Sequence, residues 1–262
     1  MNCKTRSFRL AAILLIVALI VPLVAAPPAF SKVPSMTGFT QSLDESADRE
    51  PFEVEPQKVP DPLEKLNRGF YHFNDKLYFW FLKPIATVWG AFVPLGFRVC
   101  IRNVYHNVLF PVRFMNNLFQ GKFRAAGTEI SRFAINTTLG VGGMFDFAHT
   151  QYGLDPREED FGQTLGHYGM QPVAYLNWPI LGPSSVRDTI GSAVDTFLNP
   201  LTYILFFGVD DVGVSMGVRG GLMVNNTSIT LGEYEDFKKR ALDPYVSLRD
   251  AYLQNRARDV AR

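Results

Sequence analysis

Apolar residues recur at steps of three and four over long stretches of this chain, a spacing that predicts helices. Leu63, Leu66, Phe70, Phe73, Leu77 and Trp80 form one stripe, with Asp61 suited to the N-cap, Pro62 to the first helical position and Glu64 to a capping box. Phe123, Ala126, Ile130, Phe133 and Thr137 form a second, and Gly140 is placed as the left-handed residue that ends it. Ser185, Val186, Ile190, Ala193 and Phe197 begin a third, Asp210-Asp211 opens a further helix, and Asp243-Pro244 caps a last one through Tyr245, Leu248, Tyr252 and Arg256. Alternating apolar and polar runs are scarce, and no repeat is visible. The pattern predicts a mainly α fold in one domain.

Between Leu77 and Cys100 the chain is almost continuously apolar, with aromatics at the successive positions Tyr78, Phe79, Trp80 and Phe81. Lys83, Pro84, Pro94 and Arg98 interrupt this run, which therefore falls short of the roughly 20 apolar residues a spanning helix needs. Asn199-Pro200 likewise divides the short run from Phe197 to Phe207. Two environments suit such segments. The stripes can be ordinary core, or they can face lipid as broken, aromatic, amphipathic helices lying in a leaflet. The chain's 22 Phe, 10 Tyr and 3 Trp fit an interfacial location, where Trp80, Phe81 and Trp89 are candidates for embedding.

Residues 1–31 read as a secretory signal: Lys4, Arg6 and Arg9 precede the apolar stretch Leu10 to Val24, and Ala29-Phe30-Ser31 offers a cleavage site. Without that segment, 23 Lys and Arg face 25 Asp and Glu, a net charge of −2 that argues against nucleic acid, which needs a concentrated basic face. Of the two cysteines only Cys100 then remains, and it is expected as a buried small hydrophobe in a helix. Residues 32–60 carry Ser, Pro, Asp and Glu with few apolar positions and are expected as a flexible leader.

The parts of an enzyme are missing. The sequence has no G-x-S-x-G elbow, P-loop or H-E-x-x-H, and His72, His106, His149 and His167 are scattered, so no catalytic residue, metal site or cofactor is expected. His167 is expected to anchor a loop by hydrogen bonds. Leu139-Gly140-Val141-Gly142-Gly143 follows a helix, whereas phosphate-cradling loops precede one, so helix termination and a tight turn are the plain reading. Asp155 to Asp160 lacks calcium-loop spacing and is expected as a solvated turn.

Two segments carry a family resemblance: Asp61-Pro62-Leu63-Glu64-Lys65-Leu66-Asn67-Arg68, continuing to Phe73-Asn74, and Phe161-Gly162-Gln163-Thr164-Leu165-Gly166-His167-Tyr168-Gly169. Asn136 to Gly143 resembles a Gly-rich hairpin of the same family, and Asp243-Pro244-Tyr245 with Arg249-Asp250-Ala251-Tyr252 resembles its closing helix. Across residues 61–256, ahead of a short tail at 257–262, the chain resembles the MlaA/VacJ family.

That resemblance implies a single domain of amphipathic helices arranged as a ring in the outer membrane around a central amphipathic channel. It implies removal of mislocalised phospholipid from the outer leaflet and hand-over to a periplasmic lipid-binding carrier. The implied partners are a trimeric porin and, indirectly, an inner-membrane ABC transporter. Gly140, Val141, Gly142 and Gly143 would form a movable hairpin beside the channel, with Phe73 and Asn74 near it on the first helix. Asp61, Pro62, Asn67, Arg68, Gly162, Thr164, Leu165, Gly166, His167, Tyr168 and Gly169 would be scaffold. Relatives commonly carry an acylated cysteine after the signal. No cysteine follows Val24 before Cys100, so attachment through the folded domain or a partner is expected. A non-transporting tether and a secreted lipid hydrolase are the alternatives.

Overall fold

The computed structural model describes residues 59–207 and 212–262. The expected signal, the leader up to residue 58 and the helix start at Asp210-Asp211 lie outside the described residues.

The first helix, α1, runs over Glu64–Leu77 and starts later than expected. Asp61 does not cap it, because its carboxylate accepts from Asn67 at 2.8 Å and from the Tyr245 hydroxyl instead. Helical backbone then continues through a π-helical turn, Tyr78–Leu82, into α2, Lys83–Phe92. Lys83 and Pro84 therefore do not interrupt it. Proline has no N–H to donate and needs room on the preceding turn, and a wider π turn immediately before it meets both demands. The break comes at Val93-Pro94, where Val93 is extended as a residue before proline tends to be. The next helix, α3 (Leu95–Val108), leaves at 116° to the first rod. No single helix among the described residues is long and apolar enough to cross a membrane, but this bent pair passes by length and composition.

After α4 (Phe110–Phe119), α5 (Phe123–Thr138), the single turn α6 (Phe147–Thr150) and α7 (Phe161–His167) comes a small antiparallel sheet that the sequence pattern did not predict. Its strands β1 (Tyr175–Trp178) and β2 (Gly182–Ser185) pair Tyr175 with Ser185 and Trp178 with Gly182. Gly-Pro-Ser-Ser has no β-branched residue. Its partner strand is fixed from outside, by side chains of α1. Ser185 then caps α8 (Val186–Leu198) by accepting from the Asp188 amide.

The chain closes with α9 (Pro200–Phe207), α10 (Val212–Ile229), α11 (Glu233–Arg240) and α12 (Pro244–Ala261). Asp243 caps α12 as expected, accepting from the amides of Tyr245 and Val246, and the helix runs past Arg256 to Ala261. The closest helix pairings are α7 with α8, α4 with α5, and α10 with both α2 and α3. A compact apolar cluster, Tyr71, Tyr175 and Tyr245, joins α1, β1 and α12.

Candidate functional site

Among the described residues, more than twice as many polar and charged side chains as apolar ones are buried, while large apolar side chains are exposed on most helices. The large apolar residues of the first three predicted stripes lie largely outward, whereas the stripe on α12 faces inward, with Tyr245 and Arg256 buried. On α1 the buried positions are Asn67, Tyr71 and Asn74, whereas Leu66 and Phe73 are exposed and Trp80, on the π turn, is 69% exposed. On α5 the buried positions are Ala126, Glu129, Arg132 and Asn136, and Phe123, Ile130 and Phe133 face out. On α8, Arg187, Asp188, Gly191 and Asp195 are inside, with Ile190 and Phe197 outside. Phe81, Ile85, Val88 and Phe92, the last 83% exposed, continue the belt. In water this arrangement forfeits about 25 cal/mol for every Å² of apolar surface left wet. Single exposed apolar residues need no explanation, but a continuous belt does. With the apolar side chains outside, the buried polar groups are left to find partners among themselves.

They do find one another. Arg113 donates to Glu129 at 2.7 Å, and the other Glu129 oxygen accepts from the Arg157 amide at 2.7 Å. Asn116 donates to Asp195 at 2.8 Å and accepts from the Thr164 hydroxyl at 3.0 Å. Arg132 and Asn136 both donate to Asp146 at 2.9 Å. The acidic stretch 155–160 is correspondingly not a solvated turn throughout: Glu159 is buried between Gln120 and Lys122, and Asp160 caps α7.

Asn67 and Asn74, two turns apart on the inner face of α1, each read the backbone of the sheet. Asn67 donates to the Tyr175 carbonyl and accepts from the Asn177 amide, and Asn74 donates to the Trp178 carbonyl and accepts from the Ile180 amide. Arg68 pairs with Glu64 and with the cap residue Asp243, and its guanidinium lies 4.5 Å from the centre of the Tyr245 ring. Pro62 lies in the turn before α1. Phe73 points away from this network, beside Asn74 only in sequence.

In the second motif Gly162 and Gly166 lie one turn apart on α7. A β-carbon on Gly162 would come within 2.5 Å of the Asp188 carboxylate, and one on Gly166 within 2.7 Å of Val260. Thr164 bridges Asn116 and Gln120. Leu165 supplies its carbonyl to the Met170 amide across the left-handed Gly169, which ends the helix, and the Tyr168 hydroxyl donates to the Phe119 carbonyl. His167 is exposed, with its ring edge-on to Tyr168, and makes no loop-anchoring hydrogen bond. Behind α7, Arg256 donates to both oxygens of Asp160, at 2.8 and 2.9 Å, and to Asp188 at 2.7 Å. Burial pushes the Asp188 carboxyl up, but the charge and hydrogen bond of Arg256, with Arg187 beside it, outweigh this and hold it down at about 2.

The glycine turn joins α5 to α6. Gly140 is not its left-handed residue. It is small because a β-carbon there would overlap the carbonyls of Asn136 and Phe145. Positive φ falls on Val141 (54°), Gly142 (69°) and Gly143 (94°) instead. The amides of Gly142 and Gly143 donate to Thr137 and Asn136, and Gly143 rests on Asn107. The base of the turn is thus tied down, and Leu139, Val141, Met144 and Phe145 are exposed around it.

Trp80 and Phe81 join the belt, but Trp89 turns inward and its indole donates to Asn225 on α10 at 3.1 Å. Cys100 is half-buried on α3, less enclosed than expected. No group of His, Cys, Asp and Glu that could hold a metal occurs among the described residues.

The family model described as MlaA lipoprotein matches residues 59–259. The chain belongs to the MlaA family. A protein of Escherichia coli named intermembrane phospholipid transport system lipoprotein MlaA is 32% identical over 204 residues, 77% of this chain and 78% of the relative. Its namesake from Haemophilus influenzae is 32% identical over 198 residues, covering 74% and 77%. An uncharacterized protein of Rickettsia felis is 34% identical over 205 residues, 78% of each. A solved MlaA structure, described as the structural basis for maintenance of bacterial outer membrane lipid asymmetry, aligns with a TM-score of 0.65 at 31% identity. It covers 77% of this chain and 99% of its own.

The mainly helical fold expected for an MlaA-like chain is therefore present. Both motif segments lie inside the matched region. What pattern reading missed were the buried polar residues. Glu129, Arg132 and Asn136 recur at steps of three and four on α5, and Asn116-Asn117 pairs two amides on α4. A polar stripe opposite an apolar one was the available signal.

Proposed function

We propose that this chain removes mislocalised phospholipid from the outer leaflet of a Gram-negative outer membrane and hands it to a periplasmic lipid-binding carrier. Each methylene taken out of hydrocarbon costs about 0.8 kcal/mol, so two chains near 16 carbons cost on the order of 25 kcal/mol to carry through water unshielded. Extraction needs a path with an apolar side for the chains and a polar side for the head group. A belt of outward apolar side chains around an interior of polar side chains that largely hydrogen-bond one another is the single observation that best supports this reading. Membership of a family whose characterised relatives are named for phospholipid transport supports it further.

In this proposal the helices form a ring around a central amphipathic channel, held beside a trimeric porin, and the carrier delivers to an inner-membrane ABC transporter. The glycine turn, residues 140–143, is the movable element. The belt contributes to membrane attachment, and the chain performs no covalent chemistry. Residues 1–31 direct export, 32–60 form a leader, and the helical domain begins at 61.

The test is phospholipid exposed on the outer leaflet of cells lacking the gene, with and without restoration. A rise on deletion that reverses on restoration supports removal. Unchanged exposure contradicts it and favours a passive tether.

A further inference from the structure

Half of the lysines among the described residues gather in one place: Lys83, Lys238 and Lys239. They surround an open cleft of about 620 Å³ between the π turn and α11, lined by Phe79, Lys83, Glu235, Asp236, Lys238 and Lys239. Two ammonium groups lie over the Phe79 ring, Lys83 at 5.5 Å and Lys238 at 5.0 Å from its centre. Each is positioned by a carboxylate behind it: Glu235 at 2.7 Å from Lys83, and Asp75 at 2.7 Å from Lys238. An ammonium has three donors, so neither pairing exhausts its lysine. At the rim Lys239 and Asp236 are paired at 3.2 Å but solvent-exposed, ready to exchange partners. Immediately after Phe79, Trp80 and Phe81 enter the apolar belt.

We infer that this cleft binds the phosphate of a glycerophospholipid whose head group also carries an ammonium, with the acyl chains running onto the belt at Trp80 and Phe81. The inference rests on the lipid-handling function proposed above and adds where a head group is read. Lys83 and Lys238 meet the phosphate as charge-assisted donors, and Phe79 floors the cleft as an apolar face for the glycerol. Asp236 accepts the ammonium. Glu235, Asp236 and Asp75 balance the three lysines, so the cleft is close to neutral and matches a zwitterion better than a head group of net negative charge.

The experiment uses the purified full chain, equilibrated with vesicles of equal phosphatidylethanolamine and phosphatidylglycerol, with retained lipid counted by native mass spectrometry. The expected result is an excess of phosphatidylethanolamine on the wild type and a loss of about ten-fold in the Lys83→Gln, Lys238→Gln double variant. Lys83→Arg, which keeps the cation, retains the lipid. Asp236→Asn brings the two lipids toward parity and, because Asp236 is exposed, decides the matter even where the double variant loses its circular dichroism signal. Equal retention by wild type and a folded double variant overturns the cleft while leaving lipid handling intact. Retention of no lipid by the wild type overturns both. Displacement of nothing but inorganic phosphate, added at millimolar concentration as the competing arm, assigns the cleft to free phosphate and overturns it too.

Discussion

Gly191 on α8 meets Gly162 on α7 backbone to backbone, so closely that a β-carbon added to Gly191 would overlap the Gly162 nitrogen. This contact lets the Asp160, Asp188 and Arg256 cluster close behind α7. Gly191→Ala is expected to destabilise by about 1–3 kcal/mol through overpacking. Gly217→Ala on α10, where an added β-carbon meets nothing, should be neutral or stabilising by up to about 1 kcal/mol. Thermal unfolding of the two purified variants checks the pair.

The same cluster makes an acid prediction. Asp188 has a folded-state carboxyl near 2, against about 3.9 for an unfolded aspartate. A depressed carboxyl contributes stability that is fully present above the unfolded value and lost as pH falls through the folded one. Between pH 4 and 2 the chain should therefore lose about 2 kcal/mol from this group alone. Asp188→Asn should be less stable at neutral pH and show a shallower acid slope, read from denaturant midpoints at each pH.

Prolines in the glycine turn are not clean probes of movement. They would remove the amide donors of Gly142 or Gly143 and cannot adopt positive φ. Gly142→Ala is the cleaner variant, since its β-carbon meets nothing and only the left-handed backbone resists, at about 1 kcal/mol. If the turn moves during transport, Gly142→Ala alters lipid flux while leaving circular dichroism unchanged. Gly143→Ala, pressed into Asn107 at 2.5 Å, should instead lower stability.

Much of the helical layout was legible, because Asp243-Pro244 acts locally and its cap forms as the sequence predicts, and the helix expected from Ser185 onward is present as α8. Periodicity located the stripes on α1, α5 and α8 but could not say whether they faced core or lipid, since both solvents accept the same side chains. The short sheet was invisible for a different reason. Its register depends on Asn67 and Asn74, more than a hundred residues earlier in the chain, and not on strand propensity. The late start of α1 has a similar origin: Tyr245, from the last helix, takes the carboxylate that a local reading assigned to a cap.

A charge placed in the belt should be costly. Trp80→Asp and Phe92→Asp each put a carboxylate where hydrocarbon is proposed, at a few kcal/mol. Both should shift the protein from the membrane pellet toward the soluble fraction in a carbonate wash, while Lys239→Asp, on the polar side, should not.

The proposed function places the apolar belt in lipid. Nitroxide labels at Phe73, Phe92, Phe123 and Phe197, in a Cys100→Ala background with Lys239 as the aqueous control, test it in reconstituted bilayers. Belt labels are expected to relax with oxygen and to be shielded from a water-soluble nickel chelate, while the control shows the reverse; belt labels as open to the chelate as Lys239 would overturn the placement.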